Sequence, residues 1–172
     1  MIAGIGIMLL TFIAMEGVAW LMHRYVLHGF MWFLHKSHHT PHKHKFELND
    51  LFFAYYGTLA MLFFIFGTEP IDYRFWIGAG ITLYGVAYFL IHDVFIHRRL
   101  KWFGKSSNVY LKALNMAHKV HHSRPGKYGS ESFGMLWVAP HYFKKAKEIV
   151  HKQQEEKRGP VHHQRTRAPF GH

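Results

Sequence analysis

Three apolar runs limit what this chain can fold into. Residues 2–22 (IAGIGIMLLTFIAMEGVAWLM) carry one charged side chain, Glu16, while residues 51–67 (LFFAYYGTLAMLFFIFG) and 75–91 (FWIGAGITLYGVAYFLI) carry none. A helix of about 20 apolar residues, with a range of about 17–25, crosses a hydrocarbon core. Phe46 to Phe66 and Phe75 to Ile96 lengthen the two shorter runs with few charges. The first run lacks a basic start and a small-residue cleavage site, so it reads as a span and not as a signal peptide. The expectation is an all-α integral membrane bundle of about three transmembrane helices.

Charge orients the bundle. Of the 21 Lys and Arg, all but Arg74 lie in residues 23–50, in 97–131 or beyond 140. Three crossings put the N-terminus and loop 68–74 on one side and the basic segments on the other, and the positive-inside rule makes the basic side cytoplasmic. The net charge of +11 then belongs to a membrane surface, and no nucleic-acid partner is expected. Residues 1–150 are read as one membrane domain. Residues 151–172, polar and without apolar periodicity, are expected to form a basic, disordered tail. The absence of cysteine removes disulfides, iron–sulfur ligation and a thiolate-bound haem.

Ten of the 17 histidines fall in four clusters: His23 and His28; His35, His38 and His39; His92 and His97; His118, His121 and His122. A pair spaced by five precedes a His-x-x-His-His triplet, and the same order then repeats. Packing does not call for this, whereas neutral imidazole is the commonest metal ligand. Each pair sits where a span reaches the basic side, so topology gathers all ten on one face. On a helix a triplet presents its imidazoles to one face, and NVYLKALNMAHKVHH reads as the helix of the second triplet. The five-residue pairs lie about 140° apart on a regular helix. They either straddle a wide centre or are drawn together by a π-bulge. The other seven, His42, His44, His141, His151, His162, His163 and His172, read as solvated side chains.

Ten imidazoles exceed the four ligands of a structural zinc site and suit two metals at about five each. They exclude the carboxylate-rich sites of magnesium and calcium. Zinc has no redox chemistry, so an oxidative reaction requires iron. Metal-bound imidazoles pass their other N–H to a carboxylate or carbonyl; Asp93 is the first candidate, followed by Asp50, Asn115 and Glu131. Glu16, a carboxylate inside a span, is a functional candidate by default. It would either offset the charge of two cations or hydrogen-bond between helices. Aromatics on the second and third spans (Phe52, Phe53, Tyr55, Tyr56, Phe63, Phe64, Tyr84, Tyr88, Phe89) suit a hydrophobic substrate arriving from the bilayer.

The four clusters, with FELNDL (46–51), IGAGITLYGVAYFLIHD (77–93), YLKALNMAHKVHH (110–122) and SFGMLWVAP (132–140), resemble the membrane-bound fatty acid hydroxylase superfamily. Within it, the bacterial β-carotene 3-hydroxylases are the nearest in length and motif. The resemblance covers about residues 10–140. It implies a monooxygenase of the bacterial inner membrane with two iron ions held by the ten clustered histidines, which overexpression can fill with zinc. It also implies O2 and a reduced ferredoxin-type electron donor, with β-carotene hydroxylated at carbon 3 to β-cryptoxanthin and zeaxanthin. The basic face (Arg98, Arg99, Lys101, Lys105, Arg124, Lys127) would meet an acidic donor. Spacing alone leaves other readings open: a carotenoid ketolase, a fatty acid or sterol hydroxylase, a metal transporter or a haem protein. It does not speak to oligomeric state.

Overall fold

The computed structural model describes residues 1–40, 46–102, 106–124 and 126–158. Helix α1 (Ile2–Leu21) continues as a π-helical segment, Met22–Phe30, and a short α2 (Trp32–His35) runs into a 3-10 turn, Lys36–His39. Helix α3 (Asp50–Gly67) precedes α4 (Tyr73–Tyr88), which continues as a second π-helical segment, Phe89–Ile96. Helices α5 (Val109–His122) and α6 (Pro140–Arg158) follow, and no strand forms among the described residues.

At about 1.5 Å per residue, the 20 residues of α1 measure about 30 Å, the thickness of a hydrocarbon core. The π segment after it therefore falls at headgroup level. Three stretches, Ile2–Phe30, Asp50–Gly67 and Tyr73–Ile96, are long and apolar enough to cross a membrane. Their exposed side chains (Leu10, Ile13, Met61, Ile65 and Phe66 among them) suit lipid contact, and the protein is a membrane helical bundle. Helix α4 packs against both α1 and α3, and glycine makes this possible. A Cβ on Gly78 would meet the α3 carbonyl of Ala60 at 3.0 Å, and one on Gly80 would meet the α1 carbonyl of Met8 at 2.6 Å. Without a hydrophobic drive between helices in lipid, such small-residue contacts hold spans together. Met15, Ala60, Ile81 and Tyr84 form the buried centre.

Outside the spans, α5 starts at an Asn108 cap whose side chain accepts the Leu111 N–H at 3.1 Å, satisfying an otherwise orphan donor. It packs on α6 through Ala113, Ala117, Tyr142 and Ala146. Helix α6 corrects one expectation: it runs on through Arg158, eight residues into the segment expected to be a disordered tail. Gln153, Gln154, Glu155, Glu156 and Lys157 are strong helix formers, and His151 and Glu155 pair one turn apart at 3.4 Å. Residues 159–172 lie outside the described residues, as do His42 and His44.

Candidate metal centre

Both five-residue histidine pairs fall at π-helical segments, His97 as the residue that caps the second. The His97 N–H donates to the His92 carbonyl at 2.9 Å, an i to i+5 bond, and Met31 bonds Val26 in the same way at the end of the first segment. The wider turn narrows the angle that a regular helix would leave between the members of each pair. At Gly29 the backbone leaves helical geometry (φ −101°, ψ −126°), turning the chain into α2 and its triplet.

The imidazoles form two groups. His23, His28, His35, His39 and His121 bring one ring nitrogen each within 4.8 Å of one another, and so do His38, His92, His97 and His118. His122 has three neighbours in the second group, its ring centroid 4.4 Å from His118, 4.7 Å from His38 and 5.0 Å from His97, and it also stacks on His39 of the first at 4.5 Å. The triplets therefore do not each face one centre. The outer members, one helical turn apart, stay with their own pair, while the middle ones, His38 and His121, cross to the opposite group.

Protons explain the chemistry of the arrangement. Nδ1–H of His23 donates to the Phe133 carbonyl (3.0 Å), His28 to Lys127 (3.0 Å), His39 to Arg124 (3.2 Å) and His121 to Glu131 (2.8 Å). His35 donates to Asn49 Oδ1 (2.7 Å), His38 to Glu47 Oε2 (2.8 Å) and His92 to Asp93 Oδ2 at a longer 3.4 Å. With the proton on Nδ1, each Nε2 carries only a lone pair. Yet Nε2 atoms face one another at 3.0 Å (His23–His35), 3.2 Å (His35–His39), 3.2 Å (His28–His121) and 3.1 Å (His38–His92). Lone pairs opposed in this way repel unless a cation lies between them. Two nitrogens about 2.1 Å from one metal at a right angle stand about 3 Å apart, so the spacing fits. His122 Nε2 is buried without a hydrogen-bond partner among the described residues, which suits a metal ligand.

Burial, aided by repulsion from adjacent rings, favours the neutral form of the imidazoles beyond the spans. It lowers His35 and His122 to about 2, His97 and His121 to about 3 and His39 to about 4. His38 and His118 also fall well below the ordinary value. The neutral ring is the ligand form.

The partners behind the rings were only partly anticipated. Asp93 meets His92, and Glu131 contributes its backbone carbonyl instead of its side chain. Asp50 is one step removed: its oxygens accept Arg99 (2.8 Å) and the Glu47 N–H (2.9 Å). Asn115 makes no hydrogen bond among the described residues to any of the ten rings. Glu16 does not face the histidines either; its bonds go to Tyr84 and to backbone N–H groups of 135–137. Glu47 and Asn49 were missed, although both lie in the FELNDL motif. Arg99, counted with the exposed basic face, is instead tied to Glu47 (2.7 Å), Asp50 (2.8 Å) and Asp93 (3.1 Å). Burial opposes its charge, but hydrogen bonds to Asp50 and Glu47 outweigh that and raise its pKa further. Lys105 lies outside the described residues.

An apolar cavity of about 100 Å³ reaches His23 from between the spans, walled by Phe52, Phe53, Tyr56, Tyr84, Tyr88 and Phe133 among others. Of the aromatic candidates, Tyr55, Phe63, Phe64 and Phe89 stand outside it. Tyr55 is 59% exposed, and Phe89 packs near Phe53 and Trp102. A groove of about 310 Å³ between α3 and α4 shares Phe53, Tyr56, Ile81 and Gly85 with the cavity.

Residues 8–145 match the fatty acid hydroxylase family, and the chain belongs to it. It is 44% identical over 132 residues to a β-carotene hydroxylase of Pseudescherichia vulneris, covering 77% of this chain and 75% of that protein. It is 42% identical over 134 residues to the β-carotene hydroxylase of Pantoea ananas, covering 78% and 77%. A chloroplastic β-carotene 3-hydroxylase of Arabidopsis thaliana is 35% identical over 156 residues, covering 84% of this chain and 47% of the plant protein. No solved structure matches the chain significantly.

Proposed function

We propose that the chain is a membrane-bound di-iron monooxygenase, and specifically a β-carotene hydroxylase. The observation that carries the metal reading is the set of opposed, unprotonated Nε2 atoms at metal-bridging separations. His23, His28, His35, His39 and His121 hold one iron, and His38, His92, His97, His118 and His122 hold the other. When bound there, iron would supply the activation of O2. One oxygen atom enters a C–H bond at carbon 3 of a β-ionone ring, and the other leaves as water with two electrons and two protons. The electrons come from a reduced ferredoxin-type donor at the basic, cytoplasmic face of the bacterial inner membrane.

The carbon skeleton of β-carotene offers no charged handle, so shape and apolar contact position it. The cavity receives one ring beside His23 while the polyene follows the α3–α4 groove into the bilayer. Phe52, Tyr56, Tyr84 and Tyr88 shape that pocket and keep water from the ring. The names of the relatives support the carotenoid as substrate. Expression in a β-carotene-accumulating bacterium, with pigments separated by chromatography, tests the reading. β-Cryptoxanthin and zeaxanthin are expected; a ketocarotenoid would point to a ketolase instead, and unchanged β-carotene alongside full iron loading would contradict the assignment.

A further inference from the structure

Glu16 is the only acidic or basic residue in α1, and a carboxylate at that depth is costly unless it secures something. It accepts four hydrogen bonds. The N–H groups of Met135, Leu136 and Trp137 converge on Oε1 at 2.9, 2.9 and 2.8 Å, and the Tyr84 hydroxyl donates to Oε2 at 2.8 Å. Successive backbone N–H groups make a concave nest for an anion, and four donors match the acceptor capacity of a carboxylate. Gly134 keeps the approach open, since a Cβ there would come within 2.7 Å of Oε1.

The segment fastened in this way holds part of the first histidine group. Phe133 offers its carbonyl to His23, and Glu131 offers its carbonyl to His121. Phe133 and Met135, both buried, also wall the apolar cavity. On the other side of the clamp lies a cleft of about 440 Å³ bordered by Glu16, Trp20, Gly134 and Trp137. Among the described residues no comparable link runs from Glu16 to the group containing His38, whose supports are Glu47 and Asp93.

We infer that Glu16 is a positioning residue. It pins residues 131–137 to α1, thereby orienting His23 and His121 and closing the cavity wall, and it serves one of the two metal groups and not the other. This rests on the two-metal reading above. The test loads cobalt into the detergent-purified full chain and measures metal per chain, affinity and the ligand-field absorption spectrum. A wild-type chain holding fewer than two ions would overturn the two-metal reading itself, independently of Glu16. With two ions in the wild type, Glu16→Ala should weaken one by about 10–100-fold, the usual cost of losing a ligand's support, and leave the other's spectrum unchanged. Glu16→Gln, whose carbonyl still accepts the three N–H groups, should retain both. Gly134→Ala, which crowds the nest from the opposite side, should reproduce the selective loss even if Glu16→Ala fails to fold. Wild-type affinity for both ions in Glu16→Ala or Gly134→Ala, or equal weakening of both, would overturn the inference.

Discussion

Behind the first histidine group stand neutral acceptors: four backbone carbonyls and the Asn49 amide oxygen. Behind the second stand Glu47 and Asp93, themselves joined to Arg99. A carboxylate behind an imidazole raises its basicity and adds counter-charge, whereas a carbonyl mainly fixes its orientation. The groups differ again in surroundings, because His23 of the first is the only clustered histidine lining the apolar cavity. On the two-metal reading proposed above, two sites built by the same repeat would divide their work. One would face substrate with a neutral shell, and the other would carry the negative charge that two cations among ten neutral ligands require.

The largest effects should come from the crossing histidines. His38→Ala and His121→Ala should each cut hydroxylated product by at least about 100-fold, beyond the cost of losing a ligand's support alone. The metals they disturb should differ, and spectra of metal-loaded variants distinguish them. If His121→Ala perturbed the same ion as His118→Ala, the exchange between repeats would be wrong.

Arg99 comes next. Replacing it with Leu removes the cation shared by three carboxylates, two of them with side chains at most 10% exposed, and should cost about 3 kcal/mol of stability. Thermal unfolding in detergent measures this; a loss under about 1 kcal/mol would mean that the carboxylates find other partners.

Acid should act on both groups. Their imidazoles outside the spans titrate below the ordinary value of 6.5 when folded, so the unfolded chain takes up protons first as pH falls. Stability is full above about pH 6.5 and is lost progressively toward the folded values. Melting temperature and bound metal should both decline as pH falls from about 6.5 toward about 4, and a flat profile would contradict the neutral-ligand account. The smallest effects belong to Tyr55→Leu and Phe89→Leu. Both lie outside the cavity and should change stability by about 0.5 kcal/mol or less without altering KM, whereas Phe52→Ala or Tyr56→Ala should raise it.

Spans, the shared face of the histidines and the α5 helix were legible because each follows from a local pattern of apolar runs, lysine and arginine placement, or 3.6-residue periodicity. The π-helical alternative for His92 and His97 was readable too, since five-residue spacing fits poorly on a regular helix. The crossing of His38 and His121 was not, because a triplet on one face says nothing about how many centres that face meets. Glu16 was recognisable as costly but not as a clamp, since its partners are backbone N–H groups about 120 positions away. Arg99 looked like one more cytoplasmic cation; only folding brings Glu47, Asp50 and Asp93 around it.

The most direct test is the Mössbauer spectrum of the iron-reconstituted chain beside that of Glu47→Gln. Two components of equal area are expected in the wild type, and the substitution should shift the component of the carboxylate-backed group alone. A single wild-type component, or equal shifts of both, would contradict the division between the two sites.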